Sequence, residues 1–320
     1  MNDVKHDGIP GDLPPLSERV IAHASRRRRL EAKFFRKDAH HEWDQISRLE
    51  GFLVLVLNAG LRCLGLHGRG ARNTLDLRLC SEDLPVPDLP PALDGLRLLH
   101  LSDLHLGRTL PEHMEAVCRL LEGLSADLCV ITGDLRFGHF GPFDHVAPAV
   151  RRMLDGMQLR YGAYTVLGNH DSLALAESVE EAGLRVLLNE GVAIAVNGAV
   201  VWLAGVDDPH NYRLDDLDAA LHGAPPDAFP ILLAHSPECA DEAAAKGVRL
   251  YLCGHTHGGQ IRVPYWGPLY FNARCPRDRG LGHWQAGAMV GHTSTGLGNT
   301  NAVVRFGCPP EATLLTLRRG

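Results

Sequence analysis

The chain has 320 residues, enough for one large catalytic domain with an appendage or for two modest domains. Its hydrophobic share of 45% and charged share of 22% are ordinary for a globular protein. The net charge of −6 argues against nucleic acid as the main partner, because a phosphate backbone needs a basic surface. The chain has 18 histidines but only 6 tyrosines, so several histidines are candidate ligands.

The first residues and the cysteines indicate where the protein works. The opening "MNDVKHDGIPGDLPPL" is rich in Gly, Pro and Asp, which predicts disorder over residues 1–17. It lacks the basic and apolar regions of a secretory signal. The eight cysteines form no C-x-x-C pair, and most lie among apolar residues as small hydrophobes. We therefore expect a cytoplasmic protein with reduced thiols, peripheral on the inner membrane if it contacts lipid.

Residues 18–90 are predicted to be a basic and amphipathic helical extension, followed by a strand and a linker. Residues 18–37 carry eight positive charges against two negative, and the apolar stretch "GFLVLVLNAGLRCLGLHG" follows. This combination suits an anionic membrane surface, which residues 19–66 are expected to contact. The alternative is a pair of helices that packs on the main domain. "TLDLRL" at 74–79 predicts a half-buried strand, and "PVPDLPPALDG" predicts a stiff linker.

Residues 91–320 repeat one order, in which an apolar strand is followed by a polar loop and a helix. Five apolar runs predict such strands: "LRLLHLSD" (96–103), "ADLCVITGD" (126–134), "YGAYTVLGNHD" (161–171), "AFPILLAHSPE" (228–238) and "VRLYLCGHTHGG" (248–259). Asn197-Gly198 between two further apolar runs predicts a type I′ hairpin. Together these elements indicate a layered α/β domain with an antiparallel part.

Polar side chains follow each of these five strands, where α/β folds place their ligand sites. The chain-order motifs are "SDLHLG" with Asp103 and His105, "TGDLR" with Asp134, "LGNHD" with Asn169, His170 and Asp171, "LAHSPE" with His235, and "GHTHGG" with His255 and His257. Borderline and hard divalent metals take this mixture of imidazole and oxygen ligands. Each side chain alone could be a helix cap, a turn residue or surface, but their placement at consecutive strand ends predicts a metal site.

In their order and content, the five motifs resemble those of the calcineurin-like metallophosphoesterases. The likeness covers about residues 95–320, and "GVDDPH" with "GLGNTNAVVRFGCPPEATLLTL" further resembles one bacterial branch. That branch contains envelope phosphodiesterases and UDP-2,3-diacylglucosamine hydrolases. The resemblance implies an α/β fold, a four-layer α-β-β-α sandwich of the metallophosphoesterase type. The N-terminal extension lies outside the likeness.

The resemblance also implies a role for each motif residue. Asp103, His105 and His257 would hold the first of two divalent metal ions, and Asn169, His235 and His255 the second. Asp134 would bridge both ions. His170 would be the catalytic histidine, with Asp171 orienting it through a ring nitrogen. The ions would be Mn, Fe or Zn, with Mn favoured, since mixed His and carboxylate ligation fits all three.

The expected function is hydrolysis of a phosphodiester or pyrophosphate bond by a metal-bridged hydroxide. The substrate is a phosphoester, and a lipid-linked or envelope compound such as UDP-2,3-diacylglucosamine is one candidate. One alternative is a nuclease or cyclic-nucleotide phosphodiesterase, although the domain lacks a basic track with interleaved aromatics. A second alternative is a catalytically inactive scaffold of the same fold, which would usually have lost ligands.

Other positions have weaker signals. Arg136, just after Gly133-Asp134, is a candidate substrate contact, and an exposed salt bridge is the alternative. Asp208 before Pro209 is expected to start a turn. Trp266 is expected in the core rather than in a pocket wall. Thr295 stands where the bacterial branch commonly carries Arg, so a substrate contact by that Arg is in doubt here.

Overall fold

The computed structural model of the protein describes residue 16 and residues 21–37, 43–107, 111–138 and 142–320. The disorder predicted for residues 1–17 therefore lies outside the described residues, except at Leu16. Leu16 is buried, and its backbone N–H donates to Glu180 at 3.2 Å.

Three helices begin the described chain. They are α1 (Ile21–Lys37), α2 (Trp43–Cys63) and α3 (His67–Asn73). Ala24 of α1 belongs to a buried cluster of the main domain, so this basic helix packs there. Much of α2 after residue 51 is exposed, including Phe52 and Leu55. Within the described chain no single helix is long and apolar enough to cross a bilayer; Gly51–Cys63 with α3 passes only as a pair bent by 111°.

Two six-stranded sheets form the centre of the molecule. The first has the order β1-β16-β2-β4-β6-β7 and the second has the order β14-β15-β11-β10-β9-β8. The strands of the first sheet are β1 (Arg78–Val86), β2 (Arg97–Leu101), β4 (Leu128–Ile131), β6 (Ala163–Thr165), β7 (Leu184–Val186) and β16 (Glu311–Arg319). Those of the second are β8 (Glu190–Val196), β9 (Ala199–Gly205), β10 (Phe229–Leu233), β11 (Leu250–Cys253), β14 (Gly282–Ala286) and β15 (Met289–Thr293). Two minor pairs complete the strands: β3 (Ser125–Ala126) with β5 (Gln158–Leu159), and β12 (Arg262–Val263) with β13 (Gly267–Pro268).

The sheets pack face to face, with helices on both outer sides. Leu98 and Val130 of the first sheet share one buried cluster with Leu203 and Leu252 of the second. The outer face of the first sheet is covered by α4 (Pro111–Leu121), α5 (Val146–Asp155) and α6 (Leu173–Glu181), and that of the second by α7 (Leu217–Leu221) and α8 (Ala240–Ala245). This arrangement is the expected four-layer α-β-β-α sandwich.

The short β8–β9 connection confirms the predicted hairpin. Asn197 and Gly198 have φ of 50° and 91°, as a type I′ turn requires at both central positions.

The first strand differs from its prediction. It begins at Arg78 instead of Thr74 and continues through Val86 into the expected linker. It pairs in parallel with all nine residues of β16, which sequence alternation within the strand could not reveal. Pro85 is tolerated because β1 is an edge strand, where one side of the backbone needs no partner. A strand on the N-terminal side of residue 90 thus belongs to the first sheet.

Candidate metal centre

All the motif residues lie in loops that leave the carboxyl ends of five strands. In the first sheet β2, β4 and β6 are parallel neighbours, and in the second sheet β10 and β11 are parallel neighbours. The carboxyl ends of both sets meet at one end of the sandwich. The loops bring together three overlapping groups of metal-ligating side chains: Asp103, His105 and His257; His105, Asp134 and His170; and Asp134, His235 and His255.

The first group is compact and buried. The Nε2 atoms of His105 and His257 lie 3.1 Å apart. Oδ1 of Asp103 lies 3.4 Å from His257 Nε2 and 4.0 Å from His105 Nε2. Oδ2 of the same carboxylate is fixed by Ser102 Oγ at 2.6 Å and by the backbone N–H of His255 at 3.0 Å. One carboxylate oxygen and two imidazole nitrogens therefore face a common point.

Asp134 joins the first group to the third. Its Oδ2 lies 3.4 Å from His235 Nε2, 3.7 Å from His105 Nε2 and 3.8 Å from His170 Nε2. Its Oδ1 accepts the backbone N–H of His170 at 2.9 Å. Burial acts to raise the pKa of this carboxyl, but the imidazoles of His235 and His170 outweigh it and hold the pKa well below its usual range.

The third group places nitrogen and oxygen donors around His235. Its Nε2 lies 3.0 Å from Asn169 Oδ1 and 3.1 Å from His255 Nδ1. Its Nδ1 lies 2.7 Å from the carbonyl oxygen of Thr132, to which it donates. That hydrogen bond fixes the proton on Nδ1 and turns Nε2 toward the group, so Nε2 is the atom that would bind a metal ion.

His170 is the most exposed imidazole of the three groups, with 22% of its side chain accessible. Its ring packs 5.1 Å from that of His105 and 5.8 Å from that of Phe137, measured between centroids. A partly exposed imidazole beside buried ligands can reach both the centre and an incoming molecule.

The carboxylate of Asp171 bonds to backbone groups around the centre. Its carboxylate accepts the backbone N–H groups of Gly168 at 2.9 Å and of Leu135 and Arg136 at 3.3 Å each. These bonds fix the loop that carries Asn169 and His170.

The backbone of the centre adopts conformations that side-chain-bearing residues avoid. Asp103, His105, Asp134, His255 and His257 all have φ between 45° and 68°. Such strained conformations persist only where the surrounding contacts hold them in place, which is typical of functional sites. Two glycines allow the close packing: a Cβ on Gly168 would collide with Asp134, and one on Gly254 would collide with Ser102 and Asp103.

The donor set fits divalent cations. Burial raises the pKa of Asp103, and its Oδ1 accepts no hydrogen bond from the described residues. Burial also acts to lower the pKa of His235, but the carboxylates of Asp134 and Asp103 outweigh it and raise the pKa to about 10. Carboxylates that favour a proton on His235 favour a doubly charged ion more strongly. Burial holds the pKa values of His255 and His257 well below 6.5, so both are neutral donors.

The structure bears on two of the weaker expectations. Arg136 is 4% exposed, and its guanidinium lies 5.7 Å from the ring centre of Phe143, so it is not an exposed salt bridge. Asp208 accepts the backbone N–H groups of His210, Asn211 and Tyr212, which confirms the predicted turn.

Tyr265 and Trp266 are exposed, which overturns the expectation of core packing. They lie in the connection between β12 and β13, an antiparallel pair with only two residues in each strand. The aromatic rings of this segment therefore face the solvent.

Three residues near the centre were not predicted. The ring of His210 lies 4.0 Å from that of His255, and its Nδ1 contacts Glu238 at 2.8 Å. Arg305 is fully buried, and its Nη2 lies 3.3 Å from His257 Nδ1. Arg27 of α1 is also fully buried. The arginines carry no local sequence signal, since one stands in a basic run and the other in the apolar "VVRFG".

The fold and the clustered ligands define a metallophosphoesterase, a hydrolase of phosphoric esters, and comparison with known proteins agrees. The profile of the calcineurin-like phosphoesterases matches residues 96–259. An Aquifex aeolicus protein named an uncharacterized metallophosphoesterase is 32% identical over 77% of this chain and 93% of its own. The chain belongs to the calcineurin-like phosphoesterase family.

Two other relatives have more descriptive names. The Escherichia coli phosphodiesterase YaeI is 28% identical over 69% of this chain and 82% of its own. A bovine transmembrane protein with a metallophosphoesterase domain is 36% identical over 56% of this chain, a match that spans only 44% of the bovine protein.

Proposed function

We propose that this protein hydrolyses a phosphodiester or pyrophosphate bond with two divalent metal ions, manganese being favoured. The observation that carries the proposal is the sharing of ligands among the three groups. Asp134 belongs to two of them and lies between the pair His105/His257 and the pair His235/His255. A carboxylate with donors on both sides suits a bridge between two ions.

In this proposal Asp103, His105 and His257 hold one ion. Asn169, His235 and His255 hold the other, and Asp134 binds both. Bound ions would supply a hydroxide near neutral pH and hold the attacking and leaving oxygens of an in-line displacement. Asn169 is a neutral ligand, so it leaves positive charge at the centre for an anionic phosphate.

His170 is proposed to act on the substrate. It lies 3.8 Å from Asp134 through Nε2 and is partly exposed, so the ring can reach a phosphoryl oxygen or the leaving group. There it would donate a hydrogen bond to developing negative charge or protonate the leaving alkoxide. Phe137 stacks on its ring, with 5.8 Å between the ring centroids.

We further propose a lipid-linked or envelope substrate, with peripheral contact of the protein to the inner membrane. Exposed apolar side chains support this: Phe52, Leu53, Leu55 and Val56 of α2, and Tyr265, Trp266, Leu269 and Tyr270 around the β12–β13 hairpin. Exposed apolar patches of this kind mark interaction surfaces, and Tyr and Trp suit the membrane interface.

Arg305 and Phe306 link the helix that follows the first apolar surface, the strand that precedes the second, and the proposed centre. The backbone of Arg305 is bonded to Gly70 and Asn73 of α3, and the neighbouring Phe306 accepts from Arg262 of β12 at 2.8 Å. Arg305 also contacts His257. We propose that an acyl chain of the substrate lies on one of these apolar surfaces while its phosphate reaches the ions.

The experiment is hydrolysis by purified protein with manganese of bis-p-nitrophenyl phosphate and, in parallel, UDP-2,3-diacylglucosamine. Asp134→Asn serves as the blank, and a cyclic nucleotide in a third arm tests the alternative function. Turnover of the diester and the lipid, absent in the blank, would support both parts. Turnover of the diester alone keeps the mechanism and rejects that lipid. If the protein binds metal but hydrolyses none of the three substrates, the proposal is contradicted.

A further inference from the structure

A single arginine of α1 reaches into the interior of the catalytic domain. Arg27 is 0% exposed and forms a buried ion pair through Nη1 with Asp207, which follows β9. Its Nη2 donates to the carbonyl oxygens of Asp171 at 2.8 Å and of Gly168 at 3.4 Å. Its Nε donates to Glu31, one helical turn along α1, at 3.0 Å. All three guanidinium nitrogens are thus engaged inside the protein.

The two carbonyl groups that Arg27 contacts bracket Asn169 and His170. The opposite side of the same Gly168–Asp171 loop is held by carboxylates, since Asp134 accepts the N–H of His170 and Asp171 accepts the N–H of Gly168. One guanidinium therefore fixes the two carbonyl groups that flank Asn169, a proposed metal ligand, and His170, the proposed catalytic histidine. Arg27 itself touches neither side chain.

Other contacts hold α1 in place against this loop. Glu31 accepts the backbone N–H of Leu173, the first residue of α6, at 3.0 Å. His23 contacts Asp207 at 2.6 Å. The Arg27 guanidinium also lies 4.2 Å from the ring centre of Tyr212, which covers it from solvent. The helix is tied to both sheets, through the segment after β6 and the segment after β9.

We infer that Arg27 is a positioning residue for hydrolysis, and that α1 is part of the catalytic architecture. By holding the carbonyls of Gly168 and Asp171, it sets where Asn169 and His170 stand relative to Asp134. A planar guanidinium can serve two carbonyls and a carboxylate at once, whereas a lysine ammonium is a single point charge on a flexible stem. The inference rests on the proposed function, which gives Asn169 and His170 their roles.

The test compares Arg27→Lys with Arg28→Ala in the full-length protein. Arg28 is the matched control because it is the next residue on the same helix, and its exposed ion pair with Glu177 spans 3.3 Å. Three quantities are measured: kcat and KM for bis-p-nitrophenyl phosphate, the free manganese at which each site is half filled, and the Tm. A purely structural contact would change the Tm alone.

For Arg27→Lys we expect kcat to fall by about tenfold to a hundredfold with little change in KM, as for loss of an outer-shell partner of a metal site. One of the two manganese sites should weaken by about tenfold while the other is unchanged. Arg28→Ala should match the wild type in all three quantities. An Arg27→Lys variant with wild-type kcat and manganese affinities would overturn the inference.

Glu31→Gln keeps the test decisive if Arg27→Lys does not fold. Its amide oxygen can still accept from Leu173, but it loses the charge that holds Arg27, so a smaller fall in kcat at constant KM is expected. A wild-type kcat in Glu31→Gln would then overturn the inference. Failure of the proposed function looks different, because the wild type itself would not hydrolyse the diester, whether or not it retained manganese.

Discussion

His105 and His257 lie 152 positions apart in the chain, yet their Nε2 atoms are 3.1 Å apart and their rings are stacked within 14° of parallel. His105 follows a strand of the first sheet and His257 follows a strand of the second. Their contact therefore joins the two layers of the sandwich at the carboxyl ends of the strands. Any change that separates the sheets at this end should separate the ligands of the centre.

Substituting the proposed catalytic histidine should remove activity and leave the metals in place. In His170→Asn we expect kcat to fall by a factor of about 100 to 10,000, the usual contribution of general acid–base catalysis. Manganese content should stay at the wild-type value, because His170 is not one of the proposed ligands. Steady-state kinetics and metal analysis of the same preparation measure both. His222→Asn, at an exposed position after α7, is the control. Loss of metal together with activity would instead make His170 a ligand.

Adding one methyl group to the loop before Asn169 should disrupt the centre. A Cβ on Gly168 would collide with the carboxylate and the backbone nitrogen of Asp134. Gly168→Ala should therefore lose manganese and activity together. Gly60→Ala in α2 is the matched substitution, since nothing lies within 4 Å of its Cβ, and alanine should favour the helix by about 0.5–1 kcal/mol. Metal analysis and Tm of the two variants check this, and a fully metallated, active Gly168→Ala would contradict the packing described.

A buried histidine pair between the sheets should make the protein sensitive to acid. His100 Nδ1 lies 2.9 Å from His292 Nδ1, and burial lowers the pKa of His100 from 6.5 to about 3. Between these pH values the unfolded chain therefore binds more protons than the folded one. The stability that comes from keeping His100 neutral and buried is fully present above pH 6.5 and is lost as the pH falls toward 3. At pH 5 the loss from His100 alone should be about 2 kcal/mol.

Urea unfolding of the wild type and His100→Gln at pH 7.5 and pH 5, with chelator present throughout, measures this effect. Between pH 7.5 and pH 5 the free energy of unfolding should fall by about 2 kcal/mol more in the wild type than in the variant. The same fall in both proteins would show that His100 does not titrate as its burial requires.

The exposed aromatic residues of the β12–β13 hairpin should bind lipid. Replacing Tyr265 and Trp266 by serine should weaken binding to anionic liposomes by at least about tenfold, because each ring loses its apolar contact with the interface. Hydrolysis of a soluble diester should be unchanged, because neither ring contacts the ligands described above. Sedimentation with liposomes and diester kinetics measure the two effects. Equal liposome binding by variant and wild type would remove this surface from the membrane proposal.

Much of the fold and the centre could be predicted because the signals are local. Each ligand stands just after an apolar run, and parallel strands bring such positions to one end of a sheet. Asn197-Gly198 specifies its own turn. The start of β1 was predicted wrongly because it depends on β16, more than 200 residues later.

Positions decided by distant contacts could not be predicted. Arg27 stands among four consecutive arginines, and only its contact with Asp207 and the Gly168–Asp171 loop distinguishes it from Arg26, Arg28 and Arg29, which are exposed. The partners of the Asp171 carboxylate are backbone groups, which no residue pattern specifies. Trp266 was expected in the core because aromatic residues usually are buried, and the hairpin that exposes it pairs over only two residues on each side.

The most direct test of the dinuclear centre is manganese per chain in the wild type and in Asp134→Asn, measured on the preparations used for diester hydrolysis. The substitution keeps the size of the side chain but removes the charge that Asp134 presents to His105, His170 and His235. We predict two ions and turnover in the wild type, with fewer than two ions and no measurable turnover in the variant. A wild type that holds a single ion at saturating manganese, or a variant that keeps two ions and hydrolyses the diester, would contradict the account.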